Sequence, residues 1–257
     1  MGRLNELFAK KNRDVLNVYI TAGFPNLDST IDIMEALQSS GADLIELGMP
    51  YSDPLADGPV IQESSLQALA NGMTIEKLFE QLGGFRNKID VPVVLMGYMN
   101  PVLQFGFEKF CETAASVGVD GLILPDLPAF EFETHHGDII RKNGLDFIFL
   151  VTPETSEERV RKLDALSTGF LYAVSSSSTT GKEKDFNAVV NYLKRLEGYQ
   201  LKNPVLVGFG IKDRETFEAV TPYAAGAIIG SAFIKAVAEG PDPVKTTVAF
   251  VNNVLNK

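Results

Sequence analysis

Two carboxylic acids stand close together in the stretch DLIELGMPYSDPLADGPVIQ, residues 43–62. Glu46 lies in a short apolar run, and Asp57 lies in the proline- and glycine-rich loop that follows it. An unpaired carboxylate is costly in a buried strand, so Glu46 has little structural use there unless a lysine or arginine pairs with it. Two such acids can supply a general acid–base group and a second group that stabilises a developing positive charge. We therefore interpret Glu46 and Asp57 as a catalytic pair.

Short apolar runs that alternate with longer segments of helical period must position this pair. The expected strands cover residues 15–21, 43–47, 93–98, 121–124, 146–151, 169–174, 204–208 and 226–229. The expected helices cover about 28–39, 64–70, 74–86, 106–116, 130–142, 156–166, 186–196, 214–220 and the chain from about 231. Near-continuous apolar runs are typical of parallel strands that are buried on both faces.

Eight strand–helix units in about 250 residues favour a closed (β/α)₈ TIM barrel of the α/β class over the alternative, an open doubly wound sheet. No change of composition divides the chain, so we expect a single domain over residues 1–257. The first residues form an amphipathic pattern, and we expect an extra N-terminal helix there that plugs the bottom of the barrel.

The active site of such a barrel lies at the C-terminal ends of its strands. Besides the two acids, the polar residues expected at this end are Tyr19, Thr21, Tyr98, Asn100, Asp126, Tyr172, Thr180 and Ser231. The polar run 175–184, SSSSTTGKEK, follows the sixth strand and lies opposite the Asp57 loop. We interpret it as a closing lid rather than a disordered linker.

The loops after the seventh and eighth strands, VGFGIKD and IIGSAFI, both place a glycine between a strand and an expected helix. Gly210 and Gly230 would let backbone N–H groups approach an anion, which helix N-termini also attract. Barrels often bind phosphate at these two loops. The sequence therefore predicts a phosphorylated small substrate. The alternative is that these glycines only serve tight turns.

Several reaction classes lack the residues that they need. No lysine lies in an expected strand, which argues against a Schiff-base aldolase, and Lys182 and Lys184 stand in the lid run. The two histidines, His135 and His136, fall in the middle of an expected helix and are interpreted as ordinary helix residues. No metal-ligand spacing and no redox-cofactor motif is present, so we expect no metal.

The composition excludes further partners. The chain has 257 residues and a formal net charge of −10, which argues against binding to nucleic acid or to an anionic membrane. No apolar run approaches the roughly 18 residues of a membrane span, and the N-terminus does not read as a secretory signal. The single cysteine, Cys111, fits a cytoplasmic location.

The run IELGMPYSDPLADGPVIQ resembles the signature of the alpha subunits of tryptophan synthase. The similarity continues through NVYITAGFP, MGYMNPV, LPDLP, LYAVS, VGFGI and GSAFIK. It implies a TIM barrel that cleaves indole-3-glycerol phosphate to indole and glyceraldehyde 3-phosphate in a retro-aldol reaction. It also implies an alpha–beta–beta–alpha heterotetramer, in which the partner beta subunit holds pyridoxal phosphate and receives the indole. This chain itself would hold no cofactor.

The resemblance also implies roles for individual residues. Glu46 would be the acid–base group, Asp57 the second catalytic acid, and Tyr172 would line the indole pocket beside Glu46. Substrate contacts are expected from Tyr19, Tyr98, Ile123, Thr180, Gly181, Phe209, Gly210, Gly230 and Ser231. The residues expected to face the beta subunit are Asp53, Pro54, Asn100 and Pro101.

The lid run departs from the family pattern. It reads Ser-Ser-Ser-Thr-Thr-Gly over residues 176–181, where the family more often has Gly-Val-Thr-Gly. Thr180 and Gly181 are kept, so the departure concerns the stiffness and closure of the loop. Two other functions remain open from the residues alone: a regulatory subunit that activates its partner, and an isomerase or aldolase acting on another phosphosugar.

Overall fold

A computed structural model of the protein describes residues 2–175, 186–208 and 210–256. In these ranges the strands are β1 (Val15–Thr21), β2 (Leu44–Gly48), β3 (Val93–Met96), β4 (Gly121–Ile123), β5 (Asp146–Phe147), β6 (Leu150–Val151), β7 (Leu171–Val174), β8 (Val205–Gly208) and β9 (Gly226–Ile229). The helices are α1 (Arg3–Lys10), α2 (Thr30–Ser40), α3 (Pro59–Ala70), α4 (Ile75–Gln81), α5 (Met99–Phe105), α6 (Phe107–Val117), α7 (Ala129–Glu131), α8 (Gly137–Lys142), α9 (Glu157–Leu166), α10 (Phe186–Gly198), α11 (Arg214–Val220), α12 (Ser231–Glu239) and α13 (Pro243–Leu255). A 3₁₀ turn covers Phe85–Asn87, and a π-helical turn, Phe132–His136, joins α7 to α8.

The strands form one parallel sheet in the order β5-β4-β3-β2-β1-β9-β8-β7-β6. Its two end strands belong to the same extended segment, residues 146–151. The N–H of Ile148 donates to the carbonyl of Leu122 at 3.0 Å, and the carbonyl of Phe149 accepts the N–H of Tyr172 at 3.0 Å. This segment therefore joins both ends of the sheet and closes the barrel, as the sequence predicts. The prediction of one continuous fifth strand was wrong, because the segment changes its partner between residues 148 and 149.

Other boundaries also differ from the expectation. Helix α3 begins at Pro59, five residues early, because proline at the first position of a helix already has the required φ. Helix α5 begins three residues after the end of β3 and was not predicted. The helix expected over 74–86 ends at Gln81, and Gly84 is left-handed there, with φ 79°. Ser156 caps α9 by accepting the N–H of Arg159.

The N-terminal helix α1 packs against the N-terminal ends of the strands, as expected. Leu4 is completely buried, and the ring of Phe8 lies 6.2 Å from that of Phe170, the residue before β7. Arg3 forms an ion pair with Asp120, the residue before β4, at 3.0 Å. The longer loops that follow the strands lie at the opposite end of the barrel, where barrels of this kind hold their sites. Of the helices that the structure describes, none has the length and apolar character needed to span a membrane.

Candidate active site

Glu46 projects from the middle of β2, where its backbone is in register with Tyr19 of β1 and Val94 of β3. Its side chain is almost completely buried, with 1% of its surface exposed. The amide Nδ2 of Asn17 donates a hydrogen bond to Oε2 of Glu46 at 3.0 Å. Burial raises the pKa of Glu46 to about 8, the Asn17 hydrogen bond lowers it, and the charge of Asp57 raises it. Glu46 is therefore mostly protonated at neutral pH and can donate a proton.

Asp57 lies in the loop between β2 and α3, two residues before the first residue of that helix, Pro59. Its backbone N–H donates to the carbonyl of Pro54 at 3.4 Å, and its carbonyl accepts the side-chain amide of Gln62 at 2.8 Å. Burial raises the pKa of Asp57 to about 6, and a hydrogen bond from the Tyr98 hydroxyl opposes that rise. Asp57 is consequently mostly ionised at the pH at which Glu46 still holds its proton.

Tyr98 connects the loops that follow β2 and β3. It is buried at the N-terminal end of α5, and its hydroxyl oxygen accepts the N–H of Ala56 at 3.0 Å as well as contacting Asp57. Its ring lies 5.5 Å from that of Tyr51, whose hydroxyl accepts the side-chain amide of Asn100 at 3.0 Å. Tyr98, assigned from the sequence only to substrate contact, therefore also holds the Asp57 loop.

Two further tyrosines stand beside the carboxyl pair. Tyr19 of β1 and Tyr172 of β7 are buried, and burial together with the nearby Glu46 and Asp57 charges raises the pKa of both phenols. Both phenols therefore stay neutral. Glycines leave space for these rings: a Cβ at Gly48 would lie 2.0 Å from the Tyr19 hydroxyl, and one at Gly208 2.3 Å from that of Tyr172.

Ile123 ends β4 and is completely buried. The chain around the acids thus supplies flat rings and an aliphatic side chain, as an aromatic substrate would require. The structure brings Tyr19 and Tyr172 within electrostatic reach of Glu46.

The two glycine loops differ from each other. Gly230 immediately precedes α12, and Ser231 is the first, exposed residue of that helix, so backbone N–H groups are available at its N-terminus. Gly210 is exposed with φ 92°, but α11 begins only at Arg214, where Asp213 caps it. This start agrees with the helix predicted over 214–220, so the N-terminus of α11 stands four residues beyond Gly210 rather than next to it. Predicted contacts from Thr180, Gly181 and Phe209 fall outside the described residues.

The residues expected to face a partner cluster around the mouth of the barrel. Asp53 and Asn100 are exposed, Pro101 is half-buried, and Pro54 is buried. Next to them Leu55 is 93% exposed, the most exposed large apolar side chain of the described residues.

Some neighbours of the site were not predicted from the sequence. Asn17 is the partner of Glu46, and the only hint of it was a single amide inside the apolar run VLNVYIT. Ser64 was not predicted either: it shares a hydrogen bond of 2.7 Å with Thr21, which the sequence did place at this end, and this buried pair joins the end of β1 to α3. The described part of the chain holds no group of three acidic, histidine or cysteine side chains suited to a metal ion. His135 and His136 lie in the π-helical turn, where His136 packs on Phe107 with ring centroids 4.2 Å apart.

Comparison with known proteins decides the family. The family model described as tryptophan synthase alpha chain matches residues 6–256. The chain belongs to the tryptophan synthase alpha chain family. A relative from Flavobacterium psychrophilum is 48% identical over 99% of this chain and 100% of its own, and one from Christiangramia forsetii is 51% identical over 93% of each. Both are tryptophan synthase alpha chains.

Solved structures agree. The alpha subunit of tryptophan synthase from Legionella pneumophila superimposes with a TM-score of 0.90 at 34% identity, over 100% of this chain and 98% of its own. A chain of the tryptophan synthase complex from Pyrococcus furiosus gives 0.87 at 35% identity, over 96% of this chain and all of its own. Fold class and family are thus confirmed.

Membership also establishes the activity. Alpha chains of this family are carbon–carbon lyases of tryptophan biosynthesis that cleave indole-3-glycerol phosphate, and this chain is such a lyase. The pyridoxal phosphate of the synthase belongs to the beta chain, so the expectation that this chain is the subunit without the cofactor is confirmed by its family. The residues that carry the reaction are a separate question.

Proposed function

We propose that Glu46 performs the proton transfers of the retro-aldol cleavage and that Asp57 stabilises the charge that develops on the indole ring. The observation that carries the proposal is the division of protonation states between the two acids. Near neutral pH the pKa of about 8 keeps Glu46 mostly protonated, while the pKa of about 6 leaves Asp57 mostly ionised. A pair of titratable groups with separated pKa values is what an acid and an electrostatic partner require.

The steps follow from these states. Glu46 donates its proton to C3 of the indole ring, which becomes an indoleninium cation. The ring N–H then bears positive charge, and the Asp57 carboxylate accepts its hydrogen bond. The ionised Glu46 removes the proton from the adjacent glycerol hydroxyl. The electrons of the breaking carbon–carbon bond return to the ring, which gives indole and glyceraldehyde 3-phosphate and leaves Glu46 protonated for the next turnover.

The walls of the site support this assignment. The rings of Tyr19 and Tyr172, with Ile123, suit a flat indole. The first turn of α12, with Gly230 and Ser231, offers backbone N–H groups to the phosphate, and Gly210 lies on the neighbouring loop. Thr180, Gly181 and Phe209 complete the proposed substrate contacts on grounds of sequence resemblance.

We further propose that the chain works as a single domain in the cytoplasm, in complex with a beta subunit as an alpha–beta–beta–alpha heterotetramer. The buried, unpaired Cys111 fits a reducing compartment. The exposed Leu55, with Asp53 and Asn100 beside it, supports an interface at the mouth of the barrel. Because Asp57 and Leu55 share one loop, binding of the partner there would act on the catalytic acid.

The test is indole release from indole-3-glycerol phosphate by the wild type and by the variants Glu46→Gln and Asp57→Asn. We expect each variant to lose turnover by several hundredfold or more, as losses of general acids and charge stabilisers commonly do. Glu112→Gln, an exposed carboxylate on α6, is the matched control and should retain full turnover. Near-wild-type turnover by Glu46→Gln would contradict the assignment.

A second function, activation of the beta subunit, is favoured by the loop that carries both the acid and the exposed leucine. Activity of the beta subunit should rise when this chain is added. Glu46→Gln should keep that activation while losing its own lyase activity, and Leu55→Ser should weaken it. Equal activation by the wild type and by Leu55→Ser would place the contact elsewhere.

A further inference from the structure

Asn17 carries a polar side chain in the buried interior of the barrel. It is completely buried in β1, a strand whose seven residues are all buried. Its backbone is in register with Leu44 of β2 and Ile228 of β9. An apolar residue of similar size would fill this position without a polar group to satisfy, so packing alone does not explain an amide there.

Only one end of the Asn17 side-chain amide makes a hydrogen bond among the residues that the structure describes. Its Nδ2 donates to Glu46 at 3.0 Å, whereas its Oδ1 is buried and lacks a hydrogen-bond partner among the residues that the structure describes. A buried acceptor without a partner destabilises a fold. Because residues two apart in a strand point to the same face, Asn17 lies on the face of Tyr19, one step deeper than the row that Tyr19 forms with Glu46.

When Glu46 is protonated, Oδ1 of Asn17 can accept a hydrogen bond from the carboxylic acid O–H. A carboxylate accepts hydrogen bonds only, and a carboxylic acid also has an O–H to donate. The two ends of an amide have nearly the same shape, so rotation by half a turn about the Cβ–Cγ bond exchanges N–H for oxygen with little steric change.

We propose that Asn17 is a positioning residue for the catalytic carboxyl group, whose amide holds Glu46 in both protonation states by presenting its N–H to the carboxylate and, after half a turn, its oxygen to the acid. The proposal deepens the proposed function, because it rests on Glu46 cycling between acid and carboxylate. Asn17 acts only through Glu46 and leaves the transferred proton on Glu46 or on the substrate.

The surroundings make this single amide important. Among the residues that the structure describes, the titratable groups that face Glu46 are Asp57 from the loop after β2, Tyr19 from β1 and Tyr172 from β7. Asp57 repels a second negative charge, and both phenols stay neutral. The Asn17 N–H is thus the hydrogen bond that favours the Glu46 carboxylate against burial and repulsion. A hydrogen bond to a charged form is stronger than one to a neutral form, so the net effect of Asn17 lowers the pKa of Glu46.

The experiment measures the pKa of Glu46 directly in the free protein. Infrared difference spectra over a pH titration report the carboxylic acid C=O band, and the Glu46→Gln variant identifies which band belongs to Glu46. In Asn17→Leu we expect the pKa to rise from about 8 to roughly 9, because a hydrogen bond to the charged form is lost. The high-pH limb of kcat/KM should move by the same amount. kcat should fall on the order of tenfold with little change in KM.

Two further variants complete the test. Asn17→Asp has nearly the same shape but offers no N–H when ionised, so it should also raise the pKa of Glu46. It provides the test if Asn17→Leu fails to fold. Thr247→Val is the matched control: it removes a buried hydroxyl that donates to Pro243 at 2.7 Å in α13. It should lower the melting temperature and leave the Glu46 titration and the pH profile unchanged.

The outcomes separate this inference from the proposed function. An unchanged pKa of Glu46 in folded Asn17→Leu and Asn17→Asp would overturn the role of Asn17, even if Glu46→Gln is inactive. A raised pKa in the infrared titration with an unmoved kcat/KM profile would support the Asn17 contact but contradict the catalytic role of Glu46. Movement of both together is the result that we expect.

Discussion

The buried Glu46 carboxyl should make the protein less stable as the pH rises. Burial keeps the pKa of Glu46 at about 8 in the folded protein, against a reference value of 4.5 for an exposed side chain. Between these values the folded state holds a proton that the unfolded state has released. The free energy of unfolding therefore falls as the pH rises through this window, and below about 4.5 both states are protonated and the effect vanishes.

The Glu46→Gln variant removes this dependence because its amide does not titrate. It keeps the shape of the side chain and can still pair with Asn17. The separation of the two values is 8 − 4.5 = 3.5 pH units. At about 1.4 kcal/mol for each unit this corresponds to about 5 kcal/mol, most of which is reached between about pH 5 and about pH 9. The variant should therefore gain about 4 kcal/mol relative to the wild type over that range.

Equilibrium urea unfolding of both proteins, from about pH 5 to about pH 9, measures this difference. Glu112→Gln is the control, because it removes an exposed carboxylate of the same chemistry from α6. Its stability should follow that of the wild type across the range. If Glu46→Gln and the wild type also ran parallel, the carboxyl would not be protonated by burial, and the reasoning that makes Glu46 an acid at neutral pH would be refuted.

The remaining predictions concern the rest of the site. Burial raises the pKa of Asp57 to about 6 and that of Glu46 to about 8, so a plot of kcat/KM against pH should be bell-shaped. A profile that is flat over this range would contradict the assigned roles. Tyr98→Phe should lower kcat/KM by roughly tenfold or more and move the low-pH limb of the profile to higher pH, because the Asp57 carboxylate loses a hydrogen bond. Tyr51→Phe is the control, and equal effects of the two variants would argue against the contact between Tyr98 and Asp57. Gly208→Ala should weaken binding of indole-propanol phosphate, measured by calorimetry, because its Cβ would lie 2.3 Å from the Tyr172 hydroxyl; unchanged affinity would show that this ring does not shape the pocket.

Much of the site could be predicted from the sequence because short apolar runs locate the strands and the loops that follow them. Glu46 lies in such a run, Asp57 lies in the proline- and glycine-rich loop after it, and Tyr172 lies inside LYAV. The family signature then assigned their roles. Position along the chain does not reveal which side chains meet, however, and the hydrogen bonds that Tyr98 makes to the Asp57 loop were found only in the structure.

Boundaries were less readable for a physical reason. Helix α5 starts three residues after β3 ends, with Pro101 in its first turn, and residues 148–149 interrupt the expected fifth strand. In both places the chain has suitable local propensity for more than one conformation. Packing of neighbouring elements, and the need to join the two ends of the sheet, select among them.

The sequence by itself determined the alternation of strands and helices, the family, and the two acids at the second strand and its loop, because periodicity and motif are local properties. Only the tertiary structure decided their protonation states. Desolvation of Glu46 and the neighbouring Asp57 charge arise from strands and loops brought together by the closed barrel. The same is true of Asn17, an amide 29 residues away along the chain from the carboxyl that it holds. Burial and mutual distance set the pKa of a carboxyl group, and both exist only once the chain has folded.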